Sequence, residues 1–297
     1  MTVIVAGASN LVVAAAKTIA GVVSGSAAMQ AEAAHSVADT VTELFLFVAN
    51  RRGGRGPDAE HPFGHGRETY VWAFLAALAT FVAGSLFSLF RGVTTLVRGD
   101  SAGPGSLVIS YAVLVFAFLV EGVSLWRGLY QARSTAGRLD VSPRTFLRIT
   151  SDTPLKAVIF EDRAALAGLA LAAIGLALWQ ATGQPAWDGA SSLAIGVLLA
   201  VVAVSLARTN LSLLVGQRVP PLFHAALQAD IESLPGVEAV PVFIVVVLGP
   251  GQMLVAAKVS FADNFSTADV ERVADEAEAR LRARSPGVRY VFLDPTA

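Results

Sequence analysis

The amino-acid sequence predicts an α-helical polytopic membrane protein: a bundle of six spanning helices followed by a small cytoplasmic α+β domain. Two observations lead to this prediction. The 297 residues are 54% hydrophobic and only 15% charged, whereas soluble domains carry about 25% charged residues. Six apolar runs are also long enough to cross a hydrocarbon core of ~30 Å, which takes about 20 residues in a helix.

Composition also excludes several classes of function. A net charge of −1 argues against a general affinity for nucleic acid. The absence of cysteine excludes disulfides, thiolate nucleophiles and cysteine-based metal sites, so that His, Asp and Glu are the metal ligands available. No basic segment precedes the first apolar run, so we expect no cleavable secretory signal.

The charges between the spans predict their orientation. Four arginines lie between 51 and 67, after the second span, and six lysines or arginines between 127 and 156, after the fourth. The first and fifth connections have none, and the third has two. By the positive-inside rule, the even-numbered connections and both termini are expected in the cytoplasm. The predicted spans are Val3–Val23, Ala31–Asn50, Tyr70–Phe90, Leu107–Trp126, Val158–Trp179 and Ala190–Ala207.

The composition changes after Arg208, which predicts a transmembrane domain over 1–208 and a second domain over 209–297. Proline and glycine pairs, β-branched runs and a possible cap at Ser266 or Thr267 predict the order α-β-β-α-β. Such an order suits a regulatory or dimerising domain with an antiparallel sheet covered on one face. The elements are expected at Leu222–Leu234, Val237–Leu248, Gln252–Phe261, Ala268–Arg284 and Val288–Leu293.

The second span carries a polar stripe. His35, Asp39 and Glu43 are spaced four apart and drift only slowly around a helix, with Glu32 one turn earlier. Ionisable groups at membrane depth cost several kcal/mol and normally mark a pathway. An imidazole one turn from a carboxylate can also bind a divalent metal with two ligands. The alternatives are a polar patch buried against other helices, or a helix on the membrane surface.

The fifth span places Glu161 and Asp162 inside an otherwise apolar run. If this end of the helix lies at the interface, snorkelling explains them. If it lies deeper, two helices present carboxylates and one adds an imidazole, which is enough for a tetrahedral site for Zn²⁺ or a similar ion.

The loop after the second span holds Asp58, His61 and His65, three and then four residues apart. This spacing is typical of metal ligands. The alternative is a polar loop whose histidines cap helix ends.

Taken together, these motifs resemble the cation diffusion facilitator family of divalent-metal exporters. The resemblance rests on AEAAHSVADTVTEL in the second span, PDAEHPFGHGRE in the loop, EDRAALAGLALA in the fifth span and WDGASSLAIGV before the sixth. Six spans followed by an α-β-β-α-β tail match as well, so the resemblance covers essentially the whole chain.

The resemblance implies a transporter rather than an enzyme, with no prosthetic group. It implies a homodimer in the lipid bilayer of a cell, expected to be the bacterial inner membrane, with metallochaperone-like cytoplasmic domains. Each protomer would export a divalent ion in exchange for protons. The implied transport site is His35 and Asp39 with Asp162, and a second metal site would lie at the loop residues Asp58, His61 and His65.

One departure concerns the fourth ligand. Many family members place His or Asp one turn before the fifth-span aspartate, where this chain has Val158. Glu161 points about 100° away from Asp162 on an ideal helix, so that Glu161 and Glu43 are possible supporting ligands only. Zn²⁺ is our first choice because of the imidazole, while Mn²⁺, Fe²⁺, Co²⁺ and Cd²⁺ remain open.

Two other classes of function compete with the exporter. A non-transporting metal-binding or scaffold protein fits a site that lacks a fourth ligand. An intramembrane aspartyl protease would use Asp39 and Asp162 as its paired carboxylates, but the chain lacks the GxGD pattern of the presenilin-like class.

Overall fold

The computed structural model describes residues 2–99, 107–138, 141–150 and 152–296. The chain divides into two compact units. The first comprises the residues up to Asn50, Val71–Arg148 and Thr153–Asn210, and the second comprises Arg51–Tyr70, Ile149–Asp152 and Leu211–Ala297. The loop after the second span thus groups with the C-terminal residues. The functional division at residue 208 stays a prediction.

Helices make up the N-terminal two thirds of the chain. A π-helical segment, Thr80–Leu86, links the α-helices Glu68–Ala79 and Phe87–Arg98 within one continuous helical stretch. The α-helices are α1 (Thr2–Ser24), α2 (Ala27–Gly53), α3 (Glu68–Ala79), α4 (Phe87–Arg98), α5 (Leu107–Arg138), α6 (Pro143–Ile149), α7 (Thr153–Thr182) and α8 (Ala186–Val215).

Four stretches in the described part of the chain are long and apolar enough to cross a membrane: Glu68–Arg98, Leu107–Gly137, Leu155–Thr182 and Ala186–Val215. They contain the third to sixth predicted spans, and the predicted fold class is confirmed. Helices α1 and α2 have 23 and 27 residues, which at 1.5 Å per residue is also long enough to span about 30 Å. The crossing of the membrane by α1 and α2 stays a prediction. Of the two, α2 carries the polar stripe.

Small residues let the helices of the first unit approach closely. Helix α5 packs against α1 and α7, and alanines form much of the core between them. Where α4 meets α8, a Cβ added at Gly92 would collide with Leu193. There Ser192 Oγ donates a hydrogen bond to the carbonyl of Ser88 at 2.8 Å. Such contacts between small residues are typical of helices packed in a membrane, where association depends on close packing.

The second unit contains a three-stranded sheet of order β1-β2-β3. Strands β1 and β2 are antiparallel and joined at Pro250–Gly251, and Gly251 has φ +63°. Strands β2 and β3 are parallel, so the predicted fully antiparallel sheet is wrong. The 18-residue helix α10 carries the chain back along the sheet, so that β3 starts beside the start of β2. The elements are α9 (Pro221–Glu232), β1 (Val237–Gly249), β2 (Gln252–Phe261), α10 (Thr267–Arg284) and β3 (Val288–Thr296).

The 51–70 loop packs on this sheet within the second unit. Gly66 lies so close to β1 that a Cβ there would be 2.6 Å from the carbonyl oxygen of Leu248. The ring of Phe63 meets Tyr290 of β3 edge to face, with centroids 5.4 Å apart. The loop is thereby held by both edge strands.

Ser266 caps α10 through a capping box with Asp269, which confirms one of the two predicted caps.

Candidate metal centre

Helix α2 places His35 and Asp39 one turn apart in the interior of the first unit. Their closest atoms, Nδ1 and Oδ1, are 3.2 Å apart, and the side chains are 1% and 14% exposed. Neither nitrogen of His35 has a hydrogen-bond partner among the described residues, and Asp39 Oδ1 has none either. Buried polar groups are normally hydrogen-bonded, so this pair has the unsatisfied electron-pair donors that a cation requires.

The start of α2 is held by a carboxylate from another helix. Asp188, in the first turn of α8, accepts hydrogen bonds from Ser26 Oγ at 2.5 Å and from the backbone N–H groups of Ala27 at 2.6 Å and Ala28 at 3.1 Å. An anion at a helix N-terminus satisfies the free N–H groups and interacts favourably with the helix dipole. Asp188 therefore sets the position of α2, and with it that of His35.

Helix α7 turns both of its acidic residues into the bundle. Glu161 and Asp162 are 7% and 8% exposed. Glu161 hydrogen-bonds the hydroxyl of Thr80 in the π-helix, whereas Asp162 hydrogen-bonds that of Ser124 in α5. One oxygen of each carboxylate stays buried without a partner in the described chain. Because α7 has neighbours on two sides, a turn of about 100° between adjacent residues leaves both side chains inside.

The acidic residues of α7 and the His35–Asp39 pair share one electrostatic environment. Glu161 and Asp162 both act electrostatically on Asp39. The ligand atoms of His35, Asp39 and Asp162 nevertheless do not lie within 4.8 Å of one another, as those of another group of the described residues do. The structure thus brings the two helices' acidic faces together, and the three-ligand transport site stays a prediction.

The possible supporting ligands differ in their surroundings. Glu43 accepts a hydrogen bond from Asn10 Nδ2 at 2.6 Å, and its other oxygen has no partner within the described residues. Val158 packs against the apolar core of the bundle, so the position one turn before Asp162 supplies no ligand. Glu43 and Glu161 stay the possible supporting ligands.

The loop residues Asp58, His61 and His65 form a compact cluster, with one possible ligand atom of each within 4.8 Å of the others. Asp58 Oδ2 lies 2.8 Å from His65 Nε2, and Glu68 Oε1 lies 2.6 Å from His65 Nδ1. These two hydrogen bonds raise the pKa of His65, and the bond to Asp58 has the larger effect. The same bond and the backbone N–H of His61 hold the pKa of Asp58 well below its usual range. The predicted second metal site therefore has assembled ligands, and metal binding there stays a prediction.

Sequence reasoning missed the hydroxyl groups that position the acids. Thr42 of α2 and Thr80 of the π-helix are in hydrogen-bond contact at 3.1 Å, and Thr80 in turn bonds Glu161. Ser124 of α5 likewise forms a hydrogen bond with Asp162. Single hydroxyl residues are common in spanning helices, so they give no signal by themselves; the π-helix, which shifts the helical register, is invisible in the pattern of residues.

Comparison with known proteins identifies the family. The protein-family model of the cation efflux transmembrane domain matches residues 3–215. Metal tolerance protein C4 of Arabidopsis thaliana is 31% identical over 238 residues, which are 80% of this chain and 52% of that protein. The mitochondrial proton-coupled zinc antiporter SLC30A9 of Xenopus laevis is 31% identical over 224 residues, 75% of this chain and 40% of that protein.

A bacterial relative is more distant. The manganese efflux system protein MneP of Bacillus subtilis is 27% identical over 219 residues, 72% of this chain and 67% of that protein. The chain spans about half the length of the first two relatives. The family is one of transporters, which confirms the prediction that the chain is not an enzyme. Since the matched domain covers most of its residues, the chain belongs to the cation diffusion facilitator family of multi-pass membrane proteins.

Proposed function

We propose that this protein exports a divalent cation across its membrane in exchange for protons, with Zn²⁺ as the first choice. The observation that supports it most directly is the fully buried His35, whose two nitrogens have no hydrogen-bond partner among the described residues and whose neighbour is Asp39 at 3.2 Å. An imidazole beside carboxylates is a ligand set suited to Zn²⁺. The names of SLC30A9 and MneP, which specify zinc antiport and manganese efflux, agree with a divalent cargo.

The proposed transport site consists of His35, Asp39 and Asp162, with Glu161 or Glu43 as a supporting ligand. Their ligand atoms are not gathered within 4.8 Å, so loading requires α2 and α7 to shift or their side chains to turn. Small movements of packed helices are sufficient for such changes, and alternating access in transporters uses them. The unpartnered oxygens of Glu161 and Asp162 are available to the ion when it arrives.

Exchange for protons follows from the chemistry of the ligands. A metal binds neutral imidazole and ionised carboxylate, so protons and metal compete for the same atoms. A higher proton concentration on the far side therefore displaces the ion there, while loading occurs on the less acidic side. Each transport cycle returns protons through the groups that held the ion.

The experiment is a flux measurement in liposomes that contain purified protein and a pH-sensitive dye. An inward Zn²⁺ gradient is expected to drive Zn²⁺ uptake and an opposite movement of protons. The variant His35→Ala with Asp39→Ala should abolish both, while the matched variant His224→Ala, in the second unit, should retain them. Proton movement driven by Zn²⁺ in the double variant would refute the assignment.

A second candidate function, metal binding without transport, has one observation in its favour. The loop cluster of Asp58, His61 and His65 has assembled ligand atoms. The residues of the proposed transport site, His35, Asp39 and Asp162 (the spanning set), do not. The two functions separate in the same liposomes: a binding protein would take up Zn²⁺ in proportion to protein and stop, whereas an exporter turns over many times.

We further propose that both termini lie in the cytoplasm of a bacterial cell and that the protein is a homodimer. The basic connections after the second and fourth spans support this orientation. Because the chain has no cysteine, single variants can be labelled cleanly with an impermeant maleimide. Gln184→Cys should react from outside intact cells and Glu60→Cys only after the membrane is opened; the reverse would overturn the orientation. Light scattering of the purified protein tests the dimer.

A further inference from the structure

Lys17 of α1 is completely buried in the first unit, between carboxylates from two other helices. Its Nζ lies 3.0 Å from Glu32 Oε2 of α2 and 3.8 Å from Glu121 Oε1 of α5. The three side chains are 0%, 0% and 7% exposed. A buried charge is retained in a protein only when it is paired. This triad joins three helices beside the proposed pathway, and the exporter mechanism above gives it no role.

Lys17 is the one lysine or arginine among the described side chains that is fully enclosed in the bundle. Buried acids of the same unit outnumber it. When the divalent ion leaves, the carboxylates that held it have no counterion unless the protein supplies a positive charge. The buried acids are Glu32, Glu121, Glu161, Asp162 and Asp188.

The charge of Lys17 reaches the proposed transport site. Besides Glu32 and Glu121, its ammonium interacts electrostatically with Asp39, and it also acts on His35. A lysine has a flexible four-carbon chain and three donors that can change partners. The Lys17 ammonium, which lies between Glu32 and Glu121, therefore has a chain flexible enough to change partners without a movement of α1.

Glu32 is also not fully occupied by this ion pair. Its Oε1 is buried and has no hydrogen-bond partner within the described residues. This oxygen lies against Gly168 of α7, where an added Cβ would collide with it. Glu32 therefore has a second acceptor oxygen, which faces α7 and takes no part in the ion pair with Lys17.

We propose that Lys17 is a tethered cation that competes with the transported ion for the acidic groups of the pathway. This inference rests on the proposed function. With the ion bound at His35 and Asp39, the ammonium is held by Glu32 and Glu121. As the ion leaves, the ammonium shifts toward Asp39, neutralises the emptied site and opposes rebinding. Lys17 would then lower affinity for the ion and speed its release.

The test compares Zn²⁺ affinity with turnover, using purified full-length protein in liposomes. The variant Lys17→Met with Glu32→Gln removes the ion pair as a unit, and Lys258→Met with Asp294→Asn does the same to an exposed pair in the second unit. Because the ammonium can no longer compete with Zn²⁺ for Asp39, while the net charge of the bundle is unchanged, the first variant should bind Zn²⁺ about ten-fold more tightly and turn over correspondingly more slowly. The second variant should match the wild type in both.

A merely structural ion pair would not move affinity and turnover in opposite directions. Unchanged affinity and turnover in a folded Lys17→Met, Glu32→Gln protein would overturn the tethered cation and leave the exporter intact. If this variant does not fold, Glu121→Gln keeps the Lys17–Glu32 pair and frees the ammonium toward Asp39, so that Zn²⁺ should bind more weakly; unchanged affinity there overturns the proposal. A wild type that neither binds nor moves Zn²⁺ would overturn the exporter, and the tethered cation with it.

Discussion

Two sets of histidine and carboxylate side chains in this protein differ in how their polar atoms are satisfied. In the first unit, both nitrogens of the buried His35 have no partner among the described residues. In the second unit, both nitrogens of His65 are bonded, to Asp58 at 2.8 Å and Glu68 at 2.6 Å. The loop cluster is assembled and partly exposed, whereas the spanning set is buried and dispersed.

Because of this difference, a metal ion would bind the two sets on different terms. A buried polar atom without a partner costs about 1–3 kcal/mol, so an ion that reaches the spanning set satisfies atoms that have no hydrogen-bond partner among the described residues. In the loop, an ion must displace hydrogen bonds that already exist, and both of those made by His65 are charge-assisted because their acceptors are carboxylates. We therefore expect the spanning set to be the site of transport and the loop cluster to be an accessory.

The largest expected effect separates the two sets directly. Asp162→Ala should reduce Zn²⁺ flux in liposomes at least about 100-fold, since loss even of an outer-shell partner of a metal site costs 10- to 100-fold. His65→Ala should reduce the Zn²⁺ flux far less, because His65 belongs to the loop cluster and not to the spanning set. Equal losses in the two variants would erase the distinction between the sets.

A smaller effect is expected where the scaffold of the spanning set is held. Asp188→Asn removes the charge that receives three hydrogen bonds at the start of α2. Loss of such a charged acceptor should lower the free energy of unfolding by about 2 kcal/mol, measured by denaturant titration in detergent. Asp263→Asn, at an exposed position, is the control. An Asp188→Asn protein as stable as the control would show that α2 is positioned by packing alone.

A comparable change in the second unit concerns the support of the loop cluster. A methyl group at position 66 would press on the backbone of β1, whereas at Gly56 a Cβ meets nothing within 4 Å. Gly66→Ala should therefore destabilise the second unit by about 1–3 kcal/mol, and Gly56→Ala should not. Amide hydrogen exchange of the β1–β2 hairpin measures both; equal protection in the two variants would contradict the packing described here.

The smallest expected effect is on the titration of the loop. The pKa of His65 is raised, first by Asp58 and then by Glu68, so Asp58→Asn should lower it in metal-free protein. Because folding favours the protonated imidazole, the cluster stabilises the second unit below about pH 6.5 and loses this contribution as pH rises through the raised pKa. An NMR titration of the imidazole checks the shift, which Asp263→Asn should leave unchanged. An unchanged pKa of His65 in the Asp58→Asn variant would contradict the hydrogen-bonded cluster.

Much of the fold could be predicted from the sequence because lipid and turn residues constrain it strongly. The four apolar stretches were located by length and composition, and the strands of the tail begin where the turn residues predict. The direction of β3 was predicted wrongly, since the order α-β-β-α-β does not specify whether the last strand runs with β2 or against it. Only the path of α10 decides this.

The candidate site was predictable in its charged members and not in their contacts. Spacing located His35, Asp39 and Asp162, because charges in an apolar run are rare. Helical geometry alone placed Glu161 about 100° away, yet Glu161 is buried beside Thr80. Which helices flank α7 is a property of the tertiary packing, and so are the partners of Lys17.

Counting the bound ions shows whether a divalent ion binds the spanning set. The loop cluster is first removed with His61→Ala and His65→Ala, and Zn²⁺ binding to the purified protein is titrated at equilibrium. One tight ion per chain should remain, and adding Asp162→Ala should abolish it. An ion that stays bound with unchanged affinity in the triple variant, or none bound before Asp162 is replaced, would contradict the account.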